Sequence, residues 1–208
     1  MADEKKDQVV AYVVRHGTTK LNEENRYRGQ KDIPLDEKGK KDTEALTKFF
    51  SDKPVGQAWT SPLLRAKETA KGILKSRKIK AIPAKQLLPL DAGKYTGMKK
   101  DDPNANMKYY HDHTNERIPG GESIDGMHDR VRPILFKAFR TGLRTGKPSL
   151  VSAHSSVIHS LGAILHEDHK AALVEPGGVV AVTWNGKTFD AKPVLKPKQE
   201  KESSAYAS

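Results

Sequence analysis

The strongest constraint on this chain is Val9 to Val14, a run of apolar and mostly β-branched residues that leads directly into Arg15-His16-Gly17. A strand with no polar alternation must be covered on both faces. Such strands belong to sheets flanked by helices, where ligands bind beyond the carboxyl ends of the strands. Residues 15–19 stand at that place.

The same alternation continues along the chain. Gln57 to Thr60 and Leu150 to Ala153 read as short buried strands, and Gly178 to Trp184 as a last core strand. Asn185-Gly186 predicts a hairpin turn to a short edge strand. Between the strands lie helical patterns. Asp36 is placed to cap a helix carrying Ala45, Leu46, Phe49 and Phe50 on one face. Ser61-Pro62 reads as the start of another, serine as cap and proline in the first turn, with Leu64, Thr69, Ile73 and Leu74 inward. Apolar residues recur at helical spacing from about Ser123 to Leu143, where Pro133 predicts a kink or a break. Val157 to Leu165 reads as a final helix. Strands alternating with helices predict an α/β domain with a mostly parallel sheet. A length of 208 residues suits one such domain. Residues 8–191 would form it, with 1–7 as a loose polar arm and 192–208 as a disordered basic tail.

Composition removes several classes of function. There are no cysteines, hence no disulfides, thiolate metal sites or cysteine nucleophiles. The apolar runs are too short to span a bilayer, and the charged N-terminus does not resemble a secretory signal, so a cytoplasmic protein without a membrane partner is expected. The net charge of +11 points to an anionic partner or to a solubilising surface. Nucleic acid has only that charge in its favour, with no stacking platform and no reader motif.

Chemistry concentrates at two histidines. His16 and His154 each follow a buried strand, so both would emerge at one sheet edge. An imidazole is largely neutral near pH 7 and can act as a nucleophile. Arg15 offers a planar fork of donors, and Gly17 permits close backbone approach. Arg65 falls near the start of the helix after Ser61-Pro62, and a helix N-terminus favours anions. Two arginines and two histidines on one rim would suit a doubly charged phosphoryl group.

These motifs, in order, resemble the histidine phosphatase superfamily in its phosphoglycerate-mutase-like branch. The resemblance spans roughly residues 8–185. It rests on Arg15-His16-Gly17 with Thr19 and Asn22, and on Arg26, Gly29, Asp32, Pro34, Leu35 and Gly39. It continues through Ser61-Pro62-Leu63 with Arg65, Ala66, Thr69 and Ala70, then Gly120 to Ser123, and Val151-Ser152-Ala153-His154. It implies a three-layer sandwich and a metal-independent phosphatase without cofactor. His16 would become phosphorylated and then be released by water. Arg15, Arg65 and His154 would hold the phosphoryl oxygens, and a backbone carbonyl, that of Gly17, would fix the tautomer of His16. Thr19, Asn22, Arg28, Gly29 and Ser155 are the expected substrate contacts; Ser155 stands where the family commonly has glycine. Residues 92–122 would form a lid, with Tyr109, Tyr110 and Arg117 as further contacts.

One departure is plain. The family's general acid is a glutamate in E-x-x-x-G-x-x-x-G; aligning Gly93 and Gly97 puts Pro89 in its place. Asp91 is the first substitute, Glu122 the second, and weakened catalysis the third reading. His111 and His113 read as part of a solvated cap, and Lys99-Lys100 as a solvated face. The leading expectation is hydrolysis of a small phosphomonoester. The alternatives are mutase-type phosphoryl transfer and a weakened member that only binds a phosphorylated ligand. The mutases' L-N-E-R-x-Y-G stretch and longer insertion are absent. A homodimer is left open.

Overall fold

The computed structural model describes residues 7–168 and 170–197. Six strands form one sheet in the order β3-β2-β4-β1-β5-β6. They are β1 (Gln8–Arg15), β2 (Ala58–Thr60), β3 (Ala81–Pro83), β4 (Ser149–Ala153), β5 (Val179–Trp184) and β6 (Phe189–Leu195). β1, β2, β3 and β4 pair in parallel. β5 runs antiparallel to both β1 and β6, so it alone in this sheet opposes the common direction. The expected α/β architecture is therefore the observed one.

Helices cover both faces, which is why β1 carries no polar alternation. On one face, α5 (Ile124–Thr145) and α6 (Ser155–His166) lay Met127, Leu135, Phe139, Ile158 and Leu161 over Ala11, Val13, Val151 and Val180. On the other, α2 (Glu37–Phe49) and α3 (Leu64–Leu74) lay Leu46, Ile73 and Leu74, with Phe50 at the end of α2, over Tyr12, Val14, Leu150 and Val179. The buried side chains of the central strands β1 and β4 thus meet a helix whichever way they point. Two short helices, α1 (Lys20–Glu23) and α4 (Met107–Asp112), lie outside these layers.

Several local expectations are corrected. Asp36 caps α2 as expected, accepting from Gly39 N at 2.7 Å, but Ala45 is exposed and the buried stripe is Gly39, Thr43 and Leu46. Ser61 does not cap α3. The helix begins at Leu64, and the carboxylate of Asp32, distant in sequence, accepts from Leu64 N at 2.6 Å. Leu64 faces outward. Pro133 does not break α5, which runs through it. Pro133 and Asp129 are both exposed, so the carbonyl that loses its partner lies on the wet side. The tail begins later than expected: residues 192–195 complete β6, and Pro193 is tolerated because this is an edge strand. The arm up to residue 6 and the tail from residue 198 lie outside the described residues.

The lid region has a small core of its own. Ala92, Tyr95, Ala105, Met107 and Ile118 pack together, with Tyr27 and Tyr110 against them. Its two ends meet backbone to backbone. A Cβ on Gly121 would lie 2.3 Å from Asp91 O, and one on Gly93 would lie 2.2 Å from Pro119 O. No helix among the described residues is long and apolar enough to cross a membrane.

Candidate active site

β1 and β4 are parallel neighbours, with Arg15 paired to Ala153, so the next residues, His16 and His154, emerge side by side. His16 N donates to Ala153 O at 3.0 Å, and the two ring centroids are 5.1 Å apart. β2 lies on the other side of β4 and delivers the chain to α3, which carries Arg65. The parallel order thus gathers residues from three distant segments at one edge.

The nucleophile candidate is held tightly. His16 is fully buried, and its Nδ1 lies 2.6 Å from Gly17 O. A carbonyl only accepts, so Nδ1 carries the proton and Nε2 keeps its lone pair. The loop behind it leaves no room for a side chain at Gly17, where a Cβ would lie 2.5 Å from Gly39 O. Asp42 braces the following residue, accepting from Thr18 N at 2.9 Å and Thr18 Oγ1 at 2.7 Å. Thr69 joins this loop to α3. Its hydroxyl donates to Arg65 O at 2.7 Å and accepts from Gly17 N at 3.2 Å.

Three guanidinium groups surround the rings. Arg65 is fully buried and donates to Lys31 O and Gly29 O. Arg15 donates to Val174 O at 2.8 Å and lies 3.8 Å from Glu175. Burial, reinforced by Arg15 and Arg65, lowers the pKa of Arg28 to about 9, and burial lowers that of Arg65 to about 10. Both groups remain charged at neutral pH. Burial first, then Arg65 and Arg28, hold the His16 imidazole well below its ordinary pKa. Burial and Arg65 do the same for His154. Both rings are therefore neutral where a nucleophile must be.

His16 Nε2, both nitrogens of His154, Nε of Arg15 and of Arg65, and one terminal nitrogen of Arg28 are buried without a protein partner. Buried polar groups are rarely left so. An anion with several acceptor oxygens would satisfy the arginine donors together, and its charge would offset the clustered cations. Above this end opens a cavity of about 450 Å³, whose lining includes Arg28, Gly29, Arg65, His154 and Ser155. Among the expected contacts, Thr19 and Asn22 bond to each other, Thr19 Oγ1 donating to Asn22 Oδ1 at 2.8 Å, and neither lines the cavity. Gly29 serves through its carbonyl, which holds Arg65.

Asp91 is not brought into the cavity. Its carboxylate accepts from Gly93 N at 3.0 Å, and the lining passes from Leu90 to Ala92 without it. Glu122 is also engaged elsewhere. It pairs with Arg130 at 2.6 Å and accepts from Asp91 N. Both carboxylates instead tie residues 91–93 to residues 119–122, where the glycine backbones pack tightly. Pro89, at the position of the family's acid, does line the cavity. Of the lid residues, Tyr109 donates to Glu116 and stacks on His113, while Arg117 donates to Gly121 O; neither tyrosine nor Arg117 lines the cavity. Met107, His111 and Thr114 do; His111 and His113 are exposed as expected, and His111 in addition borders the cavity. Lys99 and Lys100 are exposed as expected, and Lys100 also lines the rim, where burial with Arg28 and Arg15 lowers its pKa. His128 and His159, which no local pattern singles out, complete the histidine-rich wall.

A mostly parallel α/β sheet with a neutral histidine and clustered arginines at the carboxyl edge of its strands defines an anion site built for a phosphoryl group. The family model of the histidine phosphatase superfamily (branch 1) matches residues 11–194. The chain belongs to that superfamily. It is 30% identical over 165 residues to a 2,3-bisphosphoglycerate-dependent phosphoglycerate mutase 2 of Gloeobacter violaceus, covering 76% of this chain and 74% of that protein. It is 27% identical over 128 residues to phosphoserine phosphatase 1 of Hydrogenobacter thermophilus, covering 59% and 61%. The crystal structure of a phosphoglycerate mutase from Thermus thermophilus superposes with a TM-score of 0.70 at 26% identity, covering 91% of this chain and 99% of that one.

Proposed function

We propose that this chain hydrolyses small phosphomonoesters through a phosphohistidine on His16. The observation that carries the reading is the buried Nε2 lone pair of His16 beside the unpartnered donors of Arg15, Arg28 and Arg65. In this reading Nε2 attacks phosphorus as the ester P–O bond breaks. Charge building on the phosphoryl oxygens is met by preset cations, which need not reorganise during the step. Water then attacks the phosphorus, the N–P bond breaks, and inorganic phosphate leaves.

The relatives named as mutases favour a second reading, in which another phosphorylated metabolite, not water, receives the group. Absence of the L-N-E-R-x-Y-G stretch argues for water. The test is to incubate the protein with para-nitrophenyl phosphate and separately with phosphoglycerate, quench in alkali and look for phosphate on His16 by mass spectrometry. Hydrolysis with a labelled His16, lost in His16→Ala, is the expected result. Transfer between phosphoglycerate isomers without phosphate release would favour the mutase. Phosphate binding with no turnover of either compound would leave only a binding protein.

A further inference from the structure

The position from which the family's glutamate would serve the leaving group is Pro89, which has no proton to give. The chemistry still needs a donor, because an alkoxide is a poor leaving group. Among the carboxylates of the described residues, only Glu167 lines the cavity. It sits at the far end of α6, twelve residues from Ser155, or about 18 Å along the axis at the helical rise. That is too far from the phosphoryl end.

A different residue lies beside the vacated position. The Pro89-Leu90 loop docks on α6, where Leu90 N donates to Ser156 Oγ at 3.0 Å. His159 is three residues further along the same helix, so it neighbours Ser156 on the helix surface. Ser155, Ser156, His159 and Ala163 all line the cavity and form one stripe. Side chains on a helix lean toward its N-terminus, so the His159 ring is carried back toward His154. His159 is half-buried.

We infer that His159 is the proton donor and acceptor of this enzyme, taking over the work of the absent carboxylate; the inference rests on the hydrolase reading above. In the first step the P–O electron pair leaves on the ester oxygen, which takes a proton from the His159 imidazolium and departs as an alcohol. The bound dianion favours a protonated ring next to it. In the second step neutral His159 takes a proton from water as the water oxygen bonds to phosphorus. The N–P pair returns to His16 Nε2, and His159 is again protonated. His128 lines the same cavity from α5, and Arg130 of α5 also holds the loop, donating to Leu88 O at 3.0 Å and Pro89 O at 3.4 Å. His128 and Arg130 are two residues apart and do not share a helix face, whereas Ser156 and His159 are three apart and do.

The experiment compares His159→Gln and His128→Gln with the parent on two probes, glycerol phosphate and para-nitrophenyl phosphate. General acid catalysis contributes about 10² to 10⁴ in rate, and a nitrophenolate leaves without a proton. His159→Gln should lose about 10²-fold or more in kcat/KM on glycerol phosphate. Its kcat/KM on the nitrophenyl ester, which reports the phosphorylation step and an intact fold, should stay within about threefold, while kcat falls on both probes because the phosphohistidine has lost the base for its hydrolysis; His16 should still be phosphorylated. Equal loss of kcat/KM on both probes, or no loss on either, overturns the assignment. A selective loss in His128→Gln instead of His159→Gln overturns it as well. If the parent forms no phosphohistidine with either probe, the hydrolase reading itself fails.

Discussion

Replacing Thr69 by valine keeps the shape of the side chain and removes one hydroxyl. That hydroxyl is fully buried and makes two bonds, donating to Arg65 O and accepting from Gly17 N. Valine leaves the Gly17 N–H without a partner in a dry place, at a cost of about 1–3 kcal/mol. For a domain of this size each kcal/mol shifts the melting temperature by about 2–4 °C, so Tm should fall by about 2–12 °C. The catalytic effect has a separate origin. Thr69 ties the loop that holds His16 to the helix that holds Arg65, and a displacement of about 1 Å between reacting groups can cost about 10²-fold. We expect kcat on para-nitrophenyl phosphate to drop by about 10- to 100-fold with a smaller change in KM. Thr69→Ser retains the hydroxyl and should restore most of kcat. Calorimetry and steady-state kinetics on the three proteins decide the matter. A valine variant with unchanged Tm and kcat, or a serine variant no better than valine, would refute the bridge.

Acid should destabilise the ligand-free fold. His16 and His154 titrate well below their ordinary value, so below about pH 6.5 the unfolded chain binds protons that the folded chain does not. Stability is then present above the unfolded pKa and falls as pH drops toward the folded one, by up to about 1.4 kcal/mol per pH unit for each ring. Urea unfolding at about pH 7.5 and about pH 5.5, either side of the ordinary histidine pKa, should show that slope, and His154→Asn should reduce it; a variant that loses stability in parallel with the parent would count against this origin. Gly17→Ala must push the backbone of Gly39 away from a 2.5 Å contact. A loss of about 1–3 kcal/mol in urea titration is expected, together with a fall in kcat, and an unchanged unfolding midpoint would contradict the packing described.

The misread parts of the chain share a cause. Asp32 caps α3 from outside it, so the local Ser61-Pro62 pattern pointed to the wrong cap. β3 is three residues in a Lys-rich stretch and gains its place only by pairing with β2. Asp91 looked available because it neighbours Pro89, yet the tight contact of Gly121 with Asp91 O and the Asp91–Gly93 turn commit it to the junction of residues 91–93 with residues 119–122. His159 carries no local signal, since a histidine at one position of a short helix has no meaning until a neighbour is known.

The amino-acid order alone determined the class of fold and which residues gather at the arginine- and histidine-rich end of the candidate site. Apolar periodicity forces strands and helices to bury particular faces, and Arg15, His16, Arg65 and His154 sit at chain positions that a parallel sheet must bring to one edge. Tertiary structure decided what lies above them. Which carboxylates are tied up in that junction, and which histidines face the cavity, depend on how loops from the lid pack against α5 and α6. Those contacts join residues separated by tens of positions, and no local pattern encodes them.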